Sequence, residues 1–157
     1  MKIQIAQALL HPETVIPFQG EETLDLGAGL SGIVVHIQGK CQNIGESVFL
    51  VNGRIEFEIQ GHCAKCAKSM TEHISLGFED KFSKSTEEGE DLYPYRGDVL
   101  DLTQALLDEA ALALPMRMLC KEDCKGLCPV CGADLNDGDC GCDRTKFVVA
   151  DVFHEEV

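Results

Sequence analysis

Positive charge is scarce in this chain of 157 residues: 13 Lys plus Arg stand against 27 Asp plus Glu, a formal net charge of −14. Such a surface repels phosphate backbones and lacks the basic footprint of a nucleic-acid binder, so any RNA contact has to be local. Long apolar runs are missing as well. None approaches the ~20 residues of a membrane span, which sets the expectation of a soluble protein with no membrane partner. The first ten residues, Met1-Lys2-Ile3-Gln4-Ile5-Ala6-Gln7-Ala8-Leu9-Leu10, are interrupted by Gln4 and Gln7 and lead to no clear small-x-small site. They read as no export signal, and the expected location is cytoplasmic. No nucleophile elbow, phosphate loop, HExxH or paired-carboxylate pattern occurs, so the expectation is a non-enzymatic protein without a small-molecule substrate. Repeats and low-complexity tracts are absent too.

Cysteine is abundant: nine in all, six of them between Cys120 and Cys142. In a reducing compartment, closely spaced thiols bind metal more readily than they form disulfides. The segment Cys120-x3-Cys124-x3-Cys128-Pro129-Val130-Cys131-Gly132, followed by Cys140-Gly141-Cys142, holds too few large apolar side chains for a core. Four thiolates around a tetrahedral ion at ~2.3 Å supply the missing cohesion, and zinc is the expected cofactor. In the knuckle, Pro129 restricts the turn and Gly132 lets backbone amides approach the sulfurs. The first-choice ligand set is Cys128, Cys131, Cys140 and Cys142, with Cys120 and Cys124 as exchange candidates that could replace one pair or bind a second ion.

Cys63-Ala64-Lys65-Cys66 is a more isolated pair with three open readings: a second half-site for metal, a structural turn or a redox pair. Around it, Lys65, Lys68, Lys81 and Lys84 face only Glu72, Glu79 and Asp80, leaving room for a modest anion or RNA contact. Cys41 reads as a small buried hydrophobe, and His62 as a substitute ligand at most. Two sharper motifs compete. Cys124-x3-Cys128-x2-Cys131 has radical-type iron–sulfur spacing without the large barrel that chemistry needs. Cys63/Cys66 with Cys128/Cys131 imitates the two halves of a rubredoxin, which makes a redox or electron-transfer protein the alternative function.

The rest of the chain reads as α+β. Strand-like runs occur at 33–37, 48–51, 54–60 and 74–78, and Asn52-Gly53 between the second and third is a two-residue hairpin signal. An antiparallel sheet follows, with Cys63 and Cys66 in the connection between its last two strands. Residues 87–91 read as an acidic loop. Asp101-Leu102-Thr103-Gln104 resembles a capping box opening a helix over about 101–114, which Pro115 ends. Leu102, Leu106, Ala110 and Ala113 share its apolar face. The expected division is a β-rich domain with one packed helix at 1–117 and a small zinc-stabilised module with its tail at 118–157.

The β-rich half with its CxxC, the Asp-Leu-led helix and the string Cys120-x3-Cys124-Lys125-Gly126-Leu127-Cys128-Pro129-Val130-Cys131-Gly132-Ala133-Asp134-Leu135-Asn136 with Cys140-Gly141-Cys142 together resemble the large ribosomal RNA subunit accumulation protein (YceD) family. The match is closest to members of Gram-positive type and covers about Leu30 to Cys142. Lys65 stands where the family usually carries Arg, Asp134 where it favours Asn, and the tail lacks an Asp-Pro-Arg. The resemblance implies a role in the synthesis, processing or stability of large-subunit ribosomal RNA. With an acidic surface, the expected partners are ribosomal proteins or the maturing large subunit, and direct RNA contact is expected to be weak.

Overall fold

The computed structural model describes residues 1–27, 29–84 and 92–144; the expected acidic loop at 87–91 lies outside them. The elements in chain order are β1 (Lys2–Gln4), α1 (Ala6–Leu10), β2 (Val15–Leu24), β3 (Ile33–Gly45), β4 (Val48–His62), β5 (Ser69–Ser83), β6 (Tyr93–Pro94), β7 (Val99–Asp101) and α2 (Thr103–Leu112). Five strands form one sheet in the order β2-β3-β4-β5-β6, and β1 pairs with β7 in a small second sheet. β2–β3 and β3–β4 are antiparallel, whereas the short β6 joins β5 in parallel. This is the expected α+β class, built around one long sheet.

The Asn52-Gly53 expectation is corrected. β4 runs straight through both residues, and Gly53 pairs with Gly39 across the sheet. A Cβ on Gly53 would lie 2.3 Å from the Gln38 carbonyl oxygen, and one on Gly39 would lie 2.4 Å from that of Asn52. The glycine therefore permits a close approach of two backbones within the sheet and makes no turn. The turn falls at Glu46-Ser47, where both φ angles are positive (52° and 60°), next to a register shift between Asn43 and Gly45. Asn43 is buried there and bonded at both ends: its side-chain amide donates to the Ala8 carbonyl at 3.1 Å, and its oxygen accepts from the Gly45 N–H at 2.9 Å.

The core lies on one face of the long sheet. Val35, Ile37, Cys41, Phe49, Val51, Ile55 and Phe57 alternate inward, and Leu100, Leu102, Ala105, Leu106 and Ala110 are buried with them. α2 begins two residues later than the reading of the sequence had it. Asp101 accepts the Thr103 N–H at 3.1 Å and its hydroxyl at 2.7 Å, while the Gln104 side chain donates to Asp108 at 2.8 Å and does not close a box. Tyr93 donates to Asp108 at 2.8 Å and stacks on Phe82, which ties the sheet edge to the helix. β1, α1 and β2 had no counterpart in the expected elements. β2 occupies the edge of the sheet, where Pro17 is tolerated because its missing N–H interrupts no inner ladder.

The chain forms two compact units: Met1–Ile59 with Thr71–Pro115, and Gln60–Met70 with Met116–Val157. The expected division was contiguous, with a break at 117/118. The observed second unit also takes in residues 60–70, the end of β4, the connection and the start of β5. Among the described residues no helix is long and apolar enough to cross a membrane.

Candidate metal centre

Among its described residues the second unit has little apolar substance. Its fully buried side chains include Cys63, Cys66, Cys124 and Cys128, with Met70 and Leu119 half-buried against the first three. Eight cysteines gather into two groups, Cys63/Cys66/Cys120/Cys124 and Cys128/Cys131/Cys140/Cys142, and within each group all four sulfurs lie within 4.8 Å of one another. Cys63 and Cys124 sulfurs are 3.7 Å apart, and those of Cys66 and Cys120 are 3.5 Å apart. A tetrahedron of sulfurs at zinc–sulfur bond length has edges of about 3.8 Å, so both groups are suited to hold a metal ion.

Each sulfur is placed by local backbone. β4 delivers Cys63 to a tight connection in which the Ala67 N–H donates to the Cys63 carbonyl at 2.9 Å and Ala67 takes a positive φ of 57°. The segment after α2 is pinned alongside, as the Ala64 N–H donates to the Met118 carbonyl at 2.8 Å. That contact presents Cys120 and Cys124 to the CxxC. In the second group the Gly132 N–H donates to the Cys128 carbonyl at 2.8 Å, and Gly132 has φ 74°, closing the expected knuckle. The N–H groups of Cys131 and Val130 draw the Cys128 thiol down to about 6. Those of Cys120 and Cys66 do the same for Cys63, also to about 6. Burial pushes Cys124 up, but N–H donors from Asn136 and Gly126 outweigh it and hold the thiol below its ordinary value. These donors favour the thiolate at Cys128, Cys63 and Cys124, whereas hydrogen bonding to neighbouring cysteines pushes the Cys120 and Cys142 thiols up to about 12.

The rubredoxin pairing does not form: Cys63/Cys66 meet Cys120/Cys124, and Cys128/Cys131 meet Cys140/Cys142. The radical-type triad is likewise divided, with Cys124 in one group and Cys128 and Cys131 in the other. His62 is exposed and belongs to neither. Cys41 is fully buried in the first unit, where burial pushes its thiol up to about 12. The four lysines divide between the units. Lys68 is ion-paired with Asp134 at 3.0 Å and sits 3.8 Å from Asp137; Lys65 lends its backbone carbonyl to the Leu127 N–H at 3.1 Å. Lys81 is exposed on β5, and Lys84 lies 5.6 Å from the centre of the Tyr95 ring.

In the sequence Asn136 stands out only as the last residue of the string that resembles the family. Its side-chain amide donates to the Cys124 sulfur at 3.4 Å and its oxygen accepts the Lys125 N–H at 3.0 Å. Asp134 in turn accepts from both the backbone and the side-chain N–H of Asn136, and with Lys68 opposite it is held down at about 2. An Asn two residues after an Asp, between two cysteine pairs, was the available signal.

The model of the large ribosomal RNA subunit accumulation protein YceD family matches residues 51–151, from within the long β4 through both cysteine groups. The chain belongs to the YceD family. Similar proteins include an uncharacterized protein of Mycobacterium tuberculosis, 28% identical over 118 residues (71% of this chain, 56% of that one). An uncharacterized protein of Mycobacterium leprae is 24% identical over 134 residues (82% and 61%). A chloroplastic large ribosomal RNA subunit accumulation protein YCED homolog of Arabidopsis thaliana is 31% identical over 88 residues (46% and 27%). The chain thus spans a little over half the length of the mycobacterial relatives it matches. No solved structure matches it.

Proposed function

We propose that this protein is a non-enzymatic factor in the accumulation of large-subunit ribosomal RNA, acting by docking onto basic proteins of the maturing subunit, with zinc in both cysteine groups. The observation that carries the reading is the family match running through both four-sulfur groups. The donor set supports zinc: four sulfurs per group leave no open position for a water or substrate, which is the signature of a structural site. Bound there, the ions supply cohesion and no chemistry. The fold orders residues 60–70 and 116–142 around them and presents an acidic surface.

Charge favours protein over RNA as the direct partner. Eight thiolates with two divalent ions take the formal charge from −14 to −18. Residues 120–146 add six acidic side chains to four basic ones, and Lys68, a cation beside the first group, is already occupied by Asp134. Such a surface attracts lysine-rich ribosomal proteins and repels bare phosphate. The test is capture of partners from native lysate on the full chain, with metal quantified on the same sample. Ribosomal proteins of large-subunit precursors with about two zinc ions per chain are expected. Tight binding of purified RNA with a steep salt dependence would overturn the docking mechanism. Iron together with redox enzymes would replace the reading by the electron-transfer alternative.

A further inference from the structure

The two cysteine groups are adjacent in sequence, separated by residues 125–127, and the loop that belongs to one reaches into the other. Residues 132–139 connect Cys131 to Cys140, so both ends of that loop are fixed when the second group holds a metal. From its middle, Asn136 places a side-chain N–H 3.4 Å from the sulfur of Cys124, a ligand of the first group. The amide orientation is fixed by its partners: the oxygen accepts the Lys125 N–H at 3.0 Å, and the nitrogen also donates to Asp134 Oδ1 at 2.6 Å. Turned over, the group would point oxygen at a thiolate and nitrogen at an N–H, two repulsive contacts in place of two bonds.

The loop is docked at further points on the flanks of the first group. Asp134 binds Lys68, two residues beyond Cys66, and the Leu135 N–H donates to the Gly126 carbonyl at 2.9 Å. Gly126 itself has φ 77°, and a Cβ there would lie 3.0 Å from the Lys65 carbonyl oxygen. Only glycine fits between the spacer and the CxxC.

We infer that Asn136 couples the two metal centres, so that loading of the Cys128/Cys131/Cys140/Cys142 group raises the metal affinity of the Cys63/Cys66/Cys120/Cys124 group. This rests on the reading that both groups bind metal. The physical basis is direct. An N–H donated to a metal-bound thiolate is charge-assisted, and such outer hydrogen bonds are typically worth about 10–100-fold in metal affinity. Here the donor sits on a loop that the other metal orders, so the two bindings share a free energy. Linkage then requires the coupling to be the same in both directions.

The experiment titrates the full chain with Co(II), followed by its thiolate charge-transfer and ligand-field bands, and with Zn(II) against a chromophoric chelator. Disabling the second centre with Cys140→Ser plus Cys142→Ser should lower the affinity of the first about 10-fold or more. Asn136→Ala should do the same, and so should Asn136→Asp, which keeps an acceptor for the Lys125 N–H but offers sulfur no donor. Combining Asn136→Ala with the loss of the second centre should cost no more than either alone. Conversely, Cys63→Ser plus Cys66→Ser should weaken the second centre by the same factor. In the doubly loaded Asn136→Ala protein, the charge-transfer band of the first centre should shift while that of the second stays in place, a readout that general loosening would not give. Two ions binding with independent affinities that ignore Asn136, or effects that multiply in the combined variant, would overturn the coupling and leave the metal reading standing. A wild-type chain that takes up no Co(II) with tetrathiolate spectra would overturn both.

Discussion

Remove the metal, and the second unit should lose its fold while the first keeps its own. Ordering the roughly 25 residues from Met116 to Cys142 costs about 1–2 kcal/mol each in backbone entropy alone, a few tens of kcal/mol together. Against this stand a handful of buried cysteines, the half-buried Met70, Met118, Leu119 and Leu135, and the ion pairs of Lys68 with Asp134 and Asp137 and of Arg144 with Asp139. Burying a whole large side chain yields only about 1.5–3 kcal/mol. Two tetrathiolate centres at about 10–16 kcal/mol each have the required size, and nothing else among the described residues of the unit does. The assay is thiol counting during chelation, alongside amide spectra of the labelled chain. In the loaded protein a thiol reagent should react slowly with all nine cysteines. After chelation, verified by metal analysis, eight should react at the rate of free thiols, and the ninth, Cys41, should stay protected until denaturant opens the first unit. Amide signals of residues 63–68 and 116–142 should collapse while those of β3 and β4 up to Ile59 keep their dispersion. A metal-free chain whose tail amides remain in place would refute the reasoning.

Three further outcomes test the first unit. Gly53→Ala, whose Cβ would press on the Gln38 carbonyl at 2.3 Å, should cost about 3 kcal/mol or more and lower the melting temperature by several degrees; a melt within a degree of the parent would show that the strands part freely. Leu106→Ala should cost about 2–5 kcal/mol in urea unfolding, because the side chain is fully buried on α2. Burial first, then the nearby Glu109 and Asp108 carboxylates, push Asp80 up from 3.8 to about 6, and its Oδ2 has no hydrogen-bond partner among the described residues. The ionised carboxylate therefore opposes folding: the penalty is absent below about pH 4, grows as pH rises towards 6 and is complete above it. Asp80→Asn should then stabilise the protein at pH 7 by about 1 kcal/mol, after allowance for partial exposure, with the two melts converging at pH 4. Equal differences at both pH values would count against this environment for Asp80.

What the sequence revealed follows from how local the information is. Cys128, Cys131, Cys140 and Cys142 form one group within fifteen residues, and knuckle geometry follows from Pro129 and Gly132. The partner of Cys63/Cys66 did not show, because it lies more than fifty residues away and spacing carries no information over that distance. α2 was readable from its Leu and Ala stripe and from Pro115. Asn52-Gly53 misled because glycine serves two purposes, positive φ and close backbone approach, that a sequence window cannot separate. The true turn uses Glu46 and Ser47, side chains that seldom take positive φ, next to a register shift. β2 went unread because a proline and two adjacent glutamates suit a sheet edge but do not announce a strand.

One consequence of the way the first centre is assembled concerns the order of events during synthesis. Cys63 and Cys66 leave the ribosome early, yet their partners are not made until Cys120 and Cys124. In the meantime all of β5, β6, β7 and α2 must emerge, enough for the first unit to be complete. A nascent chain thus carries an unfinished half-site while residues 67–119 are made and closes it only once Cys120 and Cys124 have followed. Chains released before residue 124 would display two open thiols, a chemical mark of incompleteness that full-length molecules have hidden.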